Sequence, residues 1–423
     1  MFDVRKFRLA PFPDQERELL RQLDELRFLW NHALQARIDA HKRGEKSVGF
    51  VDQEKALTRW RAFDKDGIGR VYSHVAQDLL ARLDDAYKHF FRRVRNGEQA
   101  GFPRFKREVT SLTYPDGNGS ADIVDGRNGT KRLHLSKLAD IPIVVHRNIP
   151  DGKLKTVTVE REGDRWFAVL VYETNVEIPA AVGPPTSPIG VDVGLHSVAA
   201  LSDGTLIEAP KFYRSGQKRL RRAQKKLCRK QKGSRNWHKQ AARVRNLHFK
   251  VANQRRDFNH KFTTDLVRQH DLVAFEALSI RSMVRNGHLS KSIADASWGQ
   301  LRLMSKYKEA RRSGRYIEVD AKGTTQECSN CHAAPETPLT LSDRVRSCPK
   351  CGLVLDRDIN AARNILSRSL GKVSEDIGKL TPVETAPPPS RKGRRAWSRK
   401  QEPPSLGIET PTVGPSGPTF GGR

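Results

Sequence analysis

The sequence predicts an α+β chain of several units, and three patterns along it carry that expectation. Apolar residues recur at helical spacing over two N-terminal stretches. Short β-branched segments separated by turns follow them. Strand and helix signals then alternate through the second half. In order, Phe2 to Leu9 reads as a strand ended by Pro11 and Pro13. From Asp14 to about Arg43, Leu19, Leu20, Leu23, Leu26, Phe28, Leu29, Trp30 and Leu34 keep a helical period, with Asp14 placed as the N-cap. A second helix is expected from about Ser73 to Arg95, on Val75, Leu79, Leu80, Leu83, Tyr87, Phe90 and Phe91, stopping near Gly97 and Gly101. Residues 102 to 177 hold strand-like runs such as Arg132–Leu135, Ile141–Val145, Leu154–Val159 and Trp166–Tyr172, a β-barrel or meander. A Pro- and Ala-rich linker spans 179 to 188, and an α/β unit runs from Ile189 to about Ser369. The tail from about Thr381 carries nine prolines and little apolar matter, and reads as disordered.

Charge narrows the function. Among 423 residues, 77 Lys and Arg face 48 Asp and Glu, a formal charge of +29, with pI about 10.2. So large an excess points to a polyanionic partner, because self-repulsion makes it costly for a protein of neutral metabolites. No apolar run approaches the ~18 residues of a membrane span, and the first residues lack the apolar stretch of a secretory signal. Neither a membrane partner nor an oxidising compartment is expected. Between Lys211 and Arg256 stand 18 Lys or Arg and no Asp or Glu, in two helix-like runs around Gly233. A solvated helical face normally carries acidic i,i+4 partners. Their absence favours phosphate binding, with Arg221, Arg222, Lys225 and Lys226 as candidate contacts.

Four of five cysteines form two C-x-x-C pairs, Cys328 with Cys331 and Cys348 with Cys351, separated by 16 residues. Two such knuckles close a tetrahedral Zn²⁺ site without an open position, so this zinc is expected to be structural. His332 is left out of the ligand set, and Cys228 reads as an inert side chain. Three acids interrupt otherwise apolar elements: Asp192 in Ile189–Gly194, Glu276 at the end of Leu272–Glu276, and Asp358 at the head of a helical run. Burying a carboxylate is costly unless it is paired or bound to a cation. Converging acids can hold two Mg²⁺ (or Mn²⁺) ions about 3.5–4 Å apart around a phosphodiester. Taken singly, Asp358 could be a helix cap and Glu276 a solvated strand end, and Asp356 and Asp343 rival Asp358 for the third position.

These residues resemble the TnpB family, the RNA-guided nucleases of insertion sequences, related to miniature type V CRISPR effectors. The resemblance rests on Gly190–Gly194 with Ser202-Asp203-Gly204, on Phe275–Leu278, on the paired knuckles, and on Asp356–Asn364. Upstream it includes Arg27–His32, Gly101–Lys106 and Ala296–Gly299. It implies a wedge-type β-barrel (first strand 1–13, remainder and linker 102–188) interrupted by a helical recognition unit (14–101). A RuvC-like, ribonuclease H-like nuclease follows, with a basic arm (189–324), an inserted zinc knuckle (325–352) and a last segment (353–370). Residues 371–423 form the tail. The family's catalytic acids fall on Asp192, Glu276 and Asp358, and Gln77 on the meeting point with the target-adjacent motif. His332 departs from the family's usual glycine.

The resulting expectation is an RNA-guided DNA endonuclease that takes a guide RNA and double-stranded target DNA, linked to transposon maintenance, in a prokaryotic cytoplasm at the nucleoid. A nuclease-silent guided repressor, a CRISPR-associated effector and a strand-transfer enzyme are the alternatives. The last needs a protein-only reader of terminal repeats, and no helix-turn-helix is evident.

Overall fold

In β-strands successive side chains face opposite ways, and that alternation decides the first layer. In β7 (Arg165–Glu173), Trp166, Ala168, Leu170 and Tyr172 are buried while the residues between them are not. The computed structural model describes residues 1–379 except 116, 179, 180, 182 and 341. Met1–Glu375 forms one compact unit, and of Asp376–Arg423 only the end of the last helix, to Lys379, is described. The disorder expected for the tail from Thr381 therefore lies outside the described residues.

A seven-stranded antiparallel sheet takes the order β2-β6-β7-β1-β5-β4-β3. Its members are β1 (Phe2–Leu9), β2 (Ser111–Tyr114), β3 (Ala121–Asp125), β4 (Lys131–Leu135), β5 (Leu138–Val144), β6 (Lys153–Glu162) and β7. The N-terminal strand thus sits mid-sheet between β5 and β7. The helices α1 (Pro13–Lys42), α2 (Phe50–Phe63), α3 (Ser73–Arg95) and the short α4 (Gly117–Ser120) are inserted between its strands. Leu19, Leu26 and Leu34 of α1 and Leu79, Leu80 and Leu83 of α3 share one apolar core with Phe7, Leu112, Tyr114, Val157 and Leu170 of the sheet.

One local expectation is corrected, and one helix is added. Asp14 is not the N-cap of α1. Phe12 occupies that position, Pro13 opens the helix with its φ already helical and no N–H to satisfy, and the Phe12 amide donates to Gln15 Oε1 at 3.0 Å. The added helix is α2, which lies within the expected helical unit but which periodicity did not announce. Only Gln53 and Leu57 of it are buried, too few for an amphipathic stripe.

The motifs Arg27–His32 and Gly101–Lys106 meet. Trp30 Nε1 donates to the Arg104 carbonyl at 3.1 Å, Asn31 exchanges two hydrogen bonds with the Lys106 backbone, and Lys106 Nζ lies 3.5 Å from the Trp30 ring centre. Burial holds the Lys106 ammonium down to about 8.

The second sheet is mixed, in the order β10-β9-β8-β11-β12: β8 (Pro188–Asp192), β9 (Ser197–Leu201), β10 (Leu206–Glu208), β11 (Leu272–Glu276) and β12 (Arg315–Val319). β8, β9 and β10 are antiparallel neighbours, whereas β11 lies parallel to both β8 and β12. Between β10 and β11 rise α5 (Phe212–Cys228) and α6 (Arg235–Gln269), a helical hairpin turning at Gly233, whose φ of +84° needs glycine. Further on come α7 (Ile280–Met283), α8 (Ser290–Ala296), α9 (Trp298–Arg311), the two-stranded β13 (Val345–Ser347) and β14 (Val354–Asp356), and α10 (Arg357–Lys379). The last helix continues beyond the expected end at 370, because Val373 is buried against Leu272, Ala274, Val319 and Ile365.

Gly190 fixes how closely α10 lies on β8. A Cβ there would stand 2.1 Å from the Ala362 carbonyl oxygen and 2.8 Å from the Leu366 amide, both backbone atoms. Gly190→Ala should therefore force the helix off the strand and destabilise the chain by about 1–3 kcal/mol, measured as a lower midpoint in thermal or urea unfolding. An unchanged midpoint would show that the helix shifts freely.

Candidate active site

Strand register brings two acids together. Leu272 pairs with Pro188 and Phe275 with Val191, so Glu276 and Asp192 follow as neighbours at the same end of two parallel strands. Side chains opposite one another in register share a face. Asp192 and Gly190 are two residues apart, so both point to the face that α10 covers. The first turn of that helix carries Asp358, whose Oδ2 lies 3.9 Å from where a Cβ on Gly194 would stand.

Asp192 and Glu276 are both 7% exposed. Burial, then the charges of Glu276 and Asp358, push the Asp192 carboxyl well above the usual range, against the weaker pull of Arg357. Glu276 is also raised by burial, opposed by a hydrogen bond from the Thr324 hydroxyl and by Arg368. Arg357 and Arg344 reach Asp358 at 3.4 and 3.6 Å.

The rival acids are occupied elsewhere. Asp356 Oδ1 accepts from the Asp358 and Ile359 amides at 2.8 and 3.2 Å, so Asp356 caps α10 and leaves the Asp358 carboxylate free of that task. Asp343 closes a surface turn, accepting from the Thr340 amide and hydroxyl at 2.7 and 2.8 Å.

The four cysteines converge. Their sulfurs all lie within 4.8 Å of one another, and among the described residues no other group of three or more His, Cys, Asp or Glu gathers so tightly. Cys328 and Cys351 sulfurs are 3.6 Å apart and Cys331 and Cys348 sulfurs 3.5 Å. Tetrahedral bonds of about 2.3 Å would set them roughly 3.7 Å apart, so the cluster fits Zn²⁺. The Leu353 amide, then Asn330, hold the Cys351 thiol down to about 6. At Cys331 the pull of the Ala333 amide is outweighed by burial and the neighbouring sulfurs, which push it up to about 11, the pattern of crowded thiols titrating together.

The knuckles are built alike. The amides of His332 and Gly352 each donate to the carbonyl of the first cysteine of their pair at 2.9 Å. The amides of Cys328 and Cys348 donate to Ala333 and Leu353 at 3.0 and 2.9 Å. This turn requires a left-handed residue, and His332 takes φ +58° where Gly352 takes +72°.

Sequence reasoning passed over the residues that brace this centre. Asn360 and Asn364, 0% and 2% exposed, donate to the carbonyls of Glu327 and Thr324 on the approach to the first knuckle. Trp298 Nε1 donates to the Gly194 carbonyl at 3.1 Å, holding the chain just beyond Asp192. The available signal was buried amides one turn apart on the face of α10 that meets apolar residues.

On the helical hairpin, Arg221, Arg222, Lys225 and Lys226 are exposed and have no carboxylate partner among the described residues. Arg245, Arg255, Arg256 and Lys261 pair, with Asp164, Asp295, Glu162 and Asp257. Gln77 is half-buried on α3.

A mixed sheet with two buried acids at adjacent strand ends, beside a four-thiol knuckle and a hairpin rich in unpaired cations, suits a protein of nucleic acids. Comparison with known proteins makes this specific. Residues 169–287 match the insertion-sequence family described as "Probable transposase", and 298–365 match "Cas12f1-like, TNB domain". A third match, "Helix-turn-helix domain", covers 2–46, which fold here as one strand and one long helix. A Streptomyces pristinaespiralis protein named "Putative RNA-guided DNA endonuclease" is 34% identical over 94% of this chain and 95% of its own. InsQ of Escherichia coli K12, which carries the same description, is 33% identical over 86% and 91%. A Cas12f1–sgRNA–target DNA complex aligns over 87% of this chain and 100% of its own, at 14% identity and a TM-score of 0.33, too distant to support an argument. The chain belongs to the TnpB family.

The knuckle geometry predicts that His332→Gly is tolerated and stabilising. Left-handed backbone costs a residue with a Cβ about 1–2 kcal/mol, partly offset by the freedom glycine gains when unfolded. A rise in melting temperature worth up to about 1 kcal/mol is expected, with zinc content unchanged. Cys348→Ser should lower zinc content and melting temperature together.

Proposed function

We propose that this chain is an RNA-guided DNA endonuclease whose centre is Asp192, Glu276 and Asp358. The observation that carries the reading is the placement of two buried, mutually repelling acids at the ends of adjacent parallel strands, with a third entering from α10. A sheet whose strands run third, second, first, fourth, fifth in chain order suits a ribonuclease H-like, RuvC-type nuclease. On the same reading, the seven-stranded sheet is the wedge barrel, α1 to α3 the recognition unit, and the cysteine knuckle a structural zinc site.

Three carboxylates in little water make a donor set for hard divalent cations. Mg²⁺ or Mn²⁺ held there would neutralise charge on the scissile phosphate and lower the pKa of water. The protein's share is orientation. The strands fix two acids rigidly, Gly190 admits the helix that brings the third, and Trp298 pins the chain after Asp192. The hairpin arginines and lysines hold phosphate without reading sequence. A guide RNA would select the target strand by pairing, leaving the protein a short adjacent motif, with Gln77 beside it. Association with transposon maintenance, and a place at the nucleoid, follow from that activity. No helix among the described residues is long and apolar enough to cross a membrane.

Two experiments test this. With cognate RNA, matching plasmid and Mg²⁺, the wild type should cut and EDTA should stop it. Asp192→Ala and Glu276→Ala should abolish cutting yet retain the target in a gel shift. A wild type that binds the matching target and never cuts would be a guided repressor instead. If Asp356→Ala abolishes cutting and Asp358→Ala does not, the third acid is misassigned.

Separately, replacing Arg221, Arg222, Lys225 and Lys226 by Gln should weaken nucleic-acid binding for every sequence. It should also flatten log affinity against log salt by up to about 0.9 for each duplex phosphate that the variant no longer neutralises. An unaltered slope would make the hairpin a solvated face.

A further inference from the structure

The segment between β12 and the first knuckle touches both the carboxylate centre and the zinc site. Thr324 is 1% exposed. Its hydroxyl donates to Glu276 Oε1 and also lies 3.1 Å from the Ala321 carbonyl. One hydroxyl has one proton, and the carboxylate is the stronger acceptor.

The backbone of this segment is clamped by α10. Asn364 Nδ2 donates to the Thr324 and Glu327 carbonyls, both at 2.8 Å. Asn360 Nδ2 donates to Glu327 O at 2.7 Å, and Asn360 Oδ1 accepts from the Ser329 amide at 2.8 Å, between the two cysteines of the first knuckle. Arg368 adds bonds to the Asp320 and Lys322 carbonyls at 2.9 and 2.7 Å, and to the Glu327 carboxylate at 2.8 Å. Residues 360, 364 and 368 recur every fourth position, so they line one face of the helix whose first turn carries Asp358.

We propose that Thr324 is a positioning residue for Glu276, held in place by Asn360 and Asn364. The order of the cysteine knuckle is thereby transmitted to the carboxylate centre. The inference rests on the reading of Glu276 as a metal-holding acid. The Thr324 hydroxyl takes up one lone pair of Oε1, restricting rotation of the carboxylate and leaving Oε2 to face the centre. The zinc site orders Cys328, hence Ser329 and Glu327, hence the carbonyls that the two asparagines grip. A ligand oriented by a buried neighbour binds metal better than a free one. Loss of such a neighbour typically costs about 10–100-fold in affinity or activity.

The test compares Thr324→Val, which keeps the shape without the donor, with Thr324→Ser, which keeps the donor. Both are made in the full chain with its guide RNA. Mn²⁺ titration by calorimetry, without DNA, gives a readout independent of cleavage, and single-turnover cleavage against Mg²⁺ concentration gives the second. Thr324→Val should weaken Mn²⁺ binding and slow saturated cleavage, each by about 10–100-fold. Zinc content and guided target retention should stay at wild-type levels. Thr324→Ser should recover most of both losses, and Asn364→Leu should reproduce the Mn²⁺ shift with zinc still bound.

Wild-type Mn²⁺ affinity and cleavage in Thr324→Val would overturn the inference, as would a serine variant no better than valine. Failure of the underlying reading looks different, because then the wild type itself neither binds Mn²⁺ tightly nor cuts.

Discussion

The carboxyl that Asp192 places at the end of an apolar strand sets the terms for the rest of this fold. A lone buried carboxylate is expensive, and here burial and two more acids all disfavour its ionised form. A carboxyl whose pKa is raised above its unfolded value contributes stability that is fully present below the unfolded pKa. That contribution is lost as pH rises through the folded pKa. At neutral pH the metal-free centre therefore weakens the fold. The surrounding elements offset it: β8, β9 and β11 are buried almost throughout, and α10 packs on Gly190 at backbone distance. The site is a destabilised patch held by a rigid frame, the usual distribution of strain at a functional centre.

Much of this frame was legible because its signals are local. β7, β6 and β4 alternate or run apolar between turn residues, and α1 and α3 present stripes that must be buried. What sequence hides is partnership at a distance. Nothing in Phe2 to Leu9 says that the strand lies between β5 and β7, more than a hundred residues later. Helix α2 escaped because it buries little, and Asp14 was misplaced by one rule, acid at the cap, when proline at the first position overrode it.

The site divides along the same line. Cysteine spacing is a local pattern whose geometry follows from the chemistry of thiolate and zinc, and the four sulfurs do converge. The acids were visible as anomalies, charged residues where apolar ones belong. Asp343 and Asp356 serve backbone amides, a difference from Asp358 that the residue pattern alone does not show. Thr324, Asn360 and Asn364 carry no charge and disturb no pattern strongly, so only their partners reveal what they do.

The electrostatics of the chain pull in two directions, and the conflict is informative. A chain at +29 draws nucleic acid, and Arg221, Arg222, Lys225 and Lys226 of the hairpin stand exposed to receive it, without acidic partners among the described residues. A phosphodiester reaching the carboxylate centre meets negative charge like its own, and like charges at close range in low dielectric repel strongly. Attraction can bring the polymer to the protein; it cannot seat the scissile bond. On the proposed reading, that last approach would become favourable with cations between acid and phosphate, so the two buried acids whose ionised form the fold disfavours would also make the chemistry conditional on metal. On that reading, binding and cutting would draw on separate residues. Long-range affinity would be spread over many exposed cations, each of small effect, whereas cleavage would depend on a few buried groups beside Gly190, Trp298 and the α10 asparagines.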